Sequence, residues 1–246
     1  MIEYIKRMVT NKTNDFSQLD FIAGENILID KPPQFTSFKV VRTIKKAISI
    51  GRVGHTGTLD PLATGLLIIM TGKNTKQMMN FENLGKCYSG IILLGKSSPS
   101  MDTETEMKTL EVPENLNEDL IYRTRDEFLG DIQQVPPMYS ALKVKGQKLY
   151  NLARQGKIIK REPRNIHISK FEITDIRLPE IHFEIRCSKG TYIRVIANDF
   201  GNKIGCGAVL KSLRRTEIGP YKIVDALKLD EFVEKVSLQP IIEHSG

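Results

Sequence analysis

The chain contains no tryptophan and only three cysteines among its 246 residues. The cysteines, Cys87, Cys187 and Cys206, are scattered without a CxxC pair, which argues against a disulfide framework and a zinc site, so we expect reduced thiols. The longest apolar run, 66–70, is far shorter than the roughly 20 residues that span a bilayer. The N-terminus lacks the apolar core of a signal peptide. We therefore predict a cytoplasmic protein that does not contact a membrane.

Acidic residues are outnumbered by basic ones. There are 36 Lys and Arg against 29 Asp and Glu, which gives a net charge of +7 and a pI near 9.2. A basic protein favours polyanionic partners, because neutralising phosphates releases condensed counterions. From charge alone, a protein that binds nucleic acid and a protein that binds no anionic partner are equally good interpretations.

The hydrophobic pattern mixes strands and helices without a regular βαβ rhythm, which disfavours a doubly wound parallel sheet. We predict an α+β fold in which one mixed, largely antiparallel sheet is flanked by helices and loops. The patterns predict strands at 27–30, 66–72, 86–95, 166–176, 181–187 and 208–218. They predict helices that start at Thr36-Ser37 and Thr191, and others at 75–81, 118–129 and 230–236, with an exposed connection at 97–117.

The domain organisation follows from the same pass along the chain. Residues 1–23 are polar and weakly patterned, and we interpret them as an N-terminal extension. Residues 24–246 are predicted to form one catalytic domain. Within it, segment 133–165 is rich in Lys and Arg, has Glu162 as its one acidic residue, and is predicted to project from the sheet as an RNA-binding insertion.

A glycine-rich segment, GRVGHTGTLDPLATGLL, presents one acid, Asp60, followed directly by Pro61. Glycines allow sharp turns and close approach of a ligand, and proline fixes the backbone. A phosphate-binding loop is disfavoured because GxxxxGK[ST] and GxGxxG are absent. A metal site would need more ligands than His55 and Asp60. From spacing alone, a catalytic loop and a purely structural turn remain open.

Six further motifs accompany this segment. HTGTLDPLATG resembles the signature loop of the TruB family of tRNA pseudouridine synthases. The six further motifs also resemble motifs of that family and occur in the family's order. Together the matches cover roughly residues 24 to 225. The six motifs are Lys31-Pro32 with Thr36-Ser37, KCYSG, Asp102-Thr103-Glu104, QVPPMYSALKVKGQKLYNLARQG, GTYIRVIANDFG and AVLKSLRRTEIGPY.

The resemblance implies a pseudouridine-synthase fold and an activity. It implies isomerisation of a uridine to pseudouridine in the T-loop of tRNA, at tRNA position 55, without a cofactor or metal. Asp60 matches the catalytic aspartate. Its role is attack at the base C6, attack at the sugar C1′, or abstraction of the 2′ proton, and the sequence does not decide among these.

The resemblance also implies roles for neighbouring residues. Arg194 would pair with Asp60, Tyr88 would stack on the flipped base, and His55 would enter the disrupted T-loop. The remaining expectations are a uracil pocket lined by Tyr192 and Leu213, support of the loop by Lys31 and Pro32, and contacts to the RNA backbone by Lys143, Lys145, Lys148 and Arg154.

Two positions depart from the family pattern. The glycine of the KPxGxTS motif is Gln34 here, and the usual following histidine is Phe38, so the loop after Lys31 could differ. About twenty residues follow the last motif, from which we expect no C-terminal PUA domain. We expect a monomer that needs no guide RNA. The alternatives are a non-catalytic RNA-binding module or tRNA-folding chaperone on the same fold, and the guide-RNA-dependent branch of the family.

Overall fold

The computed structural model describes residues 8–140, 142–144 and 146–238. The chain divides into two compact units, and each is presented by itself. The first contains residues 8–86 and 214–238, and the second is Cys87–Leu213. No helix in the described residues is long and apolar enough to cross a membrane.

The regular elements are numbered in chain order. The strands are β1 Met8–Val9, β2 Asn26–Lys31, β3 Val53–Thr56, β4 Thr64–Thr71, β5 Lys86–Leu94, β6 Lys96–Ser97, β7 Lys108–Thr109, β8 Gly130–Gln134, β9 Lys143–Val144, β10 Gln147–Lys148, β11 Arg164–Arg177, β12 Glu180–Cys187, β13 Ala208–Ile218, β14 Tyr221–Lys222 and β15 Leu227–Lys228. The α-helices are α1 Ser37–Ala47, α2 Met78–Glu82, α3 Glu118–Asp126, α4 Leu149–Arg154, α5 Ile193–Ile204 and α6 Leu229–Ser237.

In the first unit, β4 is the central strand. It pairs antiparallel with β2 and β3, and Arg214 and Arg215 of β13 pair parallel with Thr64 and Gly65. Side chains alternate along a strand, so β4 is buried on both faces. Leu67 and Ile69 pack in a cluster with residues of α1 and α6, whereas Leu66 and Ile68 pack in a second cluster with Phe81.

Helix α1 forms where the sequence predicts it. The Thr36 hydroxyl accepts a hydrogen bond from the backbone N–H of Lys39 at 3.0 Å and so caps the helix. Val40, Val41 and Ile44 recur at helical spacing and are buried. The basic side chains predicted to lie off this stripe are all exposed: Lys39, Arg42, Lys45 and Lys46.

The second unit is dominated by an antiparallel ladder. Strand β11 pairs antiparallel with β12 on one side and with β8 on the other. Phe171 and Phe183 of this sheet meet edge to face with ring centroids 6.1 Å apart, and Phe171 lies 6.0 Å from Phe200 of α5. Both units thus carry largely antiparallel strands with helices packed on them, which confirms the predicted fold class.

The insertion begins and ends in this ladder. Gln133 pairs with Asn165, and Gln134 pairs with Arg164. The part that leaves the sheet is therefore 135–163, which contains α4 and the short strands β9 and β10.

The helix predicted at 75–81 is confirmed, with residues 72–77 in a 3-10 helix and α2 beginning at Met78. Two local predictions were wrong. Thr191 does not cap α5, because its hydroxyl donates to the carbonyl of Ser188 at 3.0 Å and Tyr192 occupies the cap position. The stretch 97–117 is not exposed throughout, since Ser100 and Asp102 are fully buried in a turn where Asp102 Oδ1 accepts a hydrogen bond from the N–H of Glu104.

The departure at Gln34 has a clear structural outcome. Gln34 has φ of 59°, in the left-handed region that glycine adopts most easily. The turn therefore has a glycine-type backbone although a glutamine occupies it. Phe38, the second departure, is 72% exposed on α1.

Candidate active site

Asp60 lies half-buried in the turn between β3 and β4. Its carbonyl accepts a hydrogen bond from the N–H of Ala63 at 3.1 Å, which closes the turn. Gly65, at the start of β4, has φ of 101°, and a Cβ there would lie 2.3 Å from the carbonyl oxygen of Arg215. Only glycine fits this position, so the glycine-rich spacing positions the acid against a neighbouring strand.

Ser37 fixes the residue that precedes Asp60. The hydroxyl of this buried serine, at the start of α1, accepts a hydrogen bond from the N–H of Leu59 at 2.9 Å and donates to the carbonyl of Leu59 at 3.2 Å. Leu59 itself is buried. The backbone entering Asp60 is thus attached to a helix end rather than exposed to solvent.

Lys31 holds the residue that follows Asp60. Its buried ammonium donates to the carbonyls of Phe35 at 2.5 Å, Pro32 at 3.0 Å and Pro61 at 3.4 Å. Burial lowers the pKa of Lys31 from 10.5 to about 8, although the nearby Asp60 carboxylate acts in the opposite direction. The supporting role of Lys31 and Pro32 stays a prediction, and these are the contacts through which it would act.

Arg215 is the second buried cation of this loop. Its Nε donates to the carbonyl of Leu66 at 2.7 Å, and Nη2 donates to the carbonyl of Gly57 at 2.9 Å. The sequence motif LRRTEIGPY contained Arg215, but no role was inferred for it. Ser37 was likewise interpreted only as part of a helix cap. Both are recognisable from their contacts with the loop, which join segments far apart in the sequence.

His55 lies on β3, opposite Ile69 of β4. Its Nε2 is 3.3 Å from the hydroxyl of Thr58, within the same loop. Burial and the positive charge of Arg215 lower the pKa of His55 below its usual 6.5. The ring is therefore neutral at pH 7.

The second unit contains the other predicted site residues. Arg194 is buried near the start of α5, where Nη1 lies 3.5 Å from Oδ2 of the fully buried Asp102. A second amino group donates to the carbonyl of Tyr139. The half-buried ring of Tyr192 lies 5.9 Å from the Arg194 guanidinium. Asp102 is thus a charge partner of Arg194 within this unit, and the pairing of Arg194 with Asp60 stays a prediction.

Tyr88 and Leu213 lie on β5 and β13, and both are buried, with 8% of each exposed. Their contacts with the base stay predictions. Among the basic residues of the insertion, Arg154 ends α4, exposed, with its guanidinium 4.3 Å from the centre of the Tyr150 ring. The remaining expectations fall on Lys145, which lies outside the described residues, and on Lys143 and Lys148, for which only the strand backbone is described.

No cluster of three or more His, Cys, Asp or Glu side chains that could hold a metal ion occurs among the residues the structure describes. Two buried cations, Lys31 and Arg215, donate to backbone carbonyls of the loop that contains Asp60.

The fold is that of the pseudouridine synthases. The solved structure described as "Crystal Structure of a Cbf5-Nop10-Gar1 Complex" superposes with a TM-score of 0.68 at 30% identity, covering 87% of this chain and 54% of the other. The chain thus spans about half the length of that protein.

Family models give the assignment. Residues 45–193 match the TruB family pseudouridylate synthase N-terminal domain, and residues 194–240 match the tRNA pseudouridylate synthase B C-terminal domain. A protein of Flavobacterium johnsoniae named tRNA pseudouridine synthase B is 45% identical over 88% of this chain and 98% of its own length. One of Chlorobaculum tepidum with the same name is 47% identical over 87% of this chain and 91% of its length. The chain belongs to the TruB family of pseudouridine synthases.

Proposed function

We propose that this protein converts a uridine of the tRNA T-loop, at tRNA position 55, to pseudouridine, with Asp60 as the catalytic carboxylate. The observation that carries the proposal is the fixation of the Asp60 turn on both sides, by Ser37 and by Lys31, in a chain of the TruB family. A catalytic group needs such preorganisation, because small displacements are costly in rate.

The reaction is an isomerisation and balances without a co-reactant. The bond between N1 and C1′ breaks, the base rotates, and C5 bonds to C1′. C5 then loses a proton and N1 gains one. Asp60 acts in this sequence by attack at C6, by attack at C1′, or by abstraction of the 2′ proton, each of which requires an ionised carboxylate. Lys31 supplies positive charge close to Asp60 at neutral pH.

A uridine in a folded T-loop must leave its stack before it can react, at a typical cost of a few kcal/mol. We assign His55 to the disrupted loop. Because its ring is neutral at pH 7, it would fill space and accept or donate hydrogen bonds rather than neutralise phosphate. Tyr88 would stack on the flipped base, and Tyr192 and Leu213 would line the uracil pocket.

The basic insertion would contact the T-arm. We assign the backbone contacts to its projecting part, 135–163, with Arg154 and the three lysines Lys143, Lys145 and Lys148 as candidates. Such contacts position the RNA without reading its sequence, while the flipped base supplies selection.

We further propose that residues 24–246 act as one catalytic domain, as a cytoplasmic monomer, without a guide RNA or cofactor. What supports guide independence is the match to relatives named tRNA pseudouridine synthase B over 98% and 91% of their lengths. The Cbf5 chain is instead about half covered.

The test uses two purified components. Unmodified tRNA transcript is incubated with the protein, and pseudouridine is mapped by chemical modification and primer extension. We expect one product, at the T-loop uridine, and none in a matched transcript that has cytidine there. No product in the wild-type transcript, despite tRNA binding, would refute the proposal and favour a non-catalytic tRNA-binding role.

A further inference from the structure

We infer that Gln134 is a positioning residue that holds the start of α5, and thereby Arg194, in the geometry the active site uses. This inference rests on the proposed function. Gln134 ends β8, where the basic insertion leaves the sheet, and it is 97% buried, with 3% of its surface exposed.

The contact between Gln134 and Tyr192 uses both halves of the amide. The N–H of Tyr192 donates to Oε1 of Gln134 at 2.8 Å, and Nε2 of Gln134 donates to the carbonyl of Tyr192 at 3.1 Å. Both polar groups of one backbone residue are thus held by one side chain from 58 residues away. A buried amide that both accepts from and donates to one residue fixes the direction of the chain there, because the two bonds are kept together only in one orientation of that backbone.

Tyr192 is the cap residue of α5 and has no side-chain cap of its own. Its carbonyl also accepts the first helical hydrogen bonds, from Val195 at 3.1 Å and Ile196 at 3.2 Å. Gln134 therefore supplies an external cap. Because Arg194 lies two residues further on, a shift of Tyr192 moves the guanidinium directly.

A second contact joins the same two segments. Arg194 donates to the carbonyl of Tyr139, which lies five residues beyond Gln134, at the start of the insertion. The insertion is thus bonded to the start of α5 at two points. These contacts hold the start of α5 against the sheet, and the pair at Gln134 fixes the backbone of the residue from which Arg194 follows.

The test compares Gln134→Ala, Gln134→Glu and the matched control Gln133→Ala. Gln133 is the exposed neighbour on β8 and pairs through its backbone with Asn165 in the sheet. In single-turnover assays with saturating tRNA, we expect Gln134→Ala to lower the rate about 10- to 100-fold while the tRNA Kd changes less than about twofold. Gln133→Ala should retain the wild-type rate.

Gln134→Glu gives a readout that a general loss of packing would not give. A protonated carboxyl group, like the amide, both donates and accepts, whereas the carboxylate only accepts and would face the carbonyl of Tyr192. We expect the rate relative to wild type to rise as the pH falls, since burial raises a carboxyl pKa.

The outcomes separate this inference from the proposed function. Wild-type protein that forms no pseudouridine refutes the proposed function. Active wild type with a wild-type rate in Gln134→Ala, or a pH-independent deficit in Gln134→Glu, overturns the role of Gln134. If Gln134→Ala does not fold, the pH profile of Gln134→Glu alone decides.

Discussion

Ser37 and Leu59 are joined by two hydrogen bonds, in which one buried hydroxyl accepts from the N–H and donates to the carbonyl of the same residue. This hydroxyl connects the first turn of α1 with the residue before Asp60. The position of the Asp60 turn therefore depends on a helix whose apolar side chains fix it in the core.

Replacing Ser37 with alanine should remove both bonds and leave two buried backbone groups of Leu59 unpaired. We expect a loss of about 1–3 kcal/mol in the free energy of unfolding and a fall in the single-turnover rate, with tRNA affinity retained. Urea unfolding and rapid-quench assays measure the two effects. An unchanged rate in a correctly folded Ser37→Ala protein would show that the hydroxyl does not position Asp60.

The lowered pKa of Lys31 predicts how the free energy of unfolding depends on pH. Its pKa is about 8 in the folded chain and 10.5 in the unfolded chain, so between these values the unfolded chain binds the extra proton. The free energy of unfolding contributed by this residue therefore rises with pH from about 8 to 10.5 and is lowest below pH 8. Relative to Lys31→Met, wild type should gain on the order of 1–3 kcal/mol across this window.

Urea unfolding of both proteins at several values between about pH 7 and pH 10 measures this difference. Other titrating groups cancel in the comparison because the two chains share them. A difference that stays flat, or that shrinks as the pH rises, would contradict the burial of a charged Lys31.

Because Asp102 and Arg194 are both buried, removing the charge of Asp102 should strongly lower the free energy of unfolding. Asp102→Asn would remove one buried charge partner of Arg194, at a cost of about 3–5 kcal/mol in stability, and should slow turnover. The matched control is Asp126→Asn, whose carboxylate pairs with Arg125 at 2.7 Å but is 59% exposed, so about 1 kcal/mol or less is expected. Equal effects in chemical unfolding would contradict the account.

Substitution of Arg154 tests whether the basic insertion contacts RNA phosphates, through the salt dependence of tRNA binding. Arg154→Ala should weaken tRNA binding and reduce the slope of log K against log salt concentration by about one. Arg123→Ala, an exposed arginine of α3 outside the insertion, should leave the slope unchanged. Filter binding over a series of salt concentrations gives both slopes. The assignment fails if Arg123→Ala lowers the slope as much as Arg154→Ala does.

Much of this fold could be predicted from the sequence because the patterns that indicate helices and strands involve residues close together in the chain. The capped helix α1 and the strands β4, β11 and β12 follow from spacing alone. The cap of α5 was mispredicted at Thr191 because its true partner, Gln134, lies 58 residues before Tyr192. Similarly, Asp102 was predicted to lie in an exposed connection because Arg194, which it lies beside, is distant in the sequence. Contacts between segments that are distant in the sequence produce no local pattern from which they could be predicted.

The residues of the candidate site also differ in how far the sequence predicts their roles. Asp60 could be proposed from the sequence because the short motif that contains it resembles the signature loop of the family, whereas spacing alone left a structural turn open. Arg215 and Ser37, which hold that turn through backbone carbonyls and amides, carry no recognisable chemistry in the sequence. Their roles appear only when the strands and helix bring them to the loop.

The role of Asp60 in the chemistry is tested by the rate of pseudouridine formation in tRNA by wild type, Asp60→Asn and the exposed control Asp119→Asn. We expect Asp60→Asn to bind tRNA with wild-type affinity but to form no detectable pseudouridine, while Asp119→Asn retains the wild-type rate. Pseudouridine formation by Asp60→Asn at a rate comparable to wild type would contradict this role.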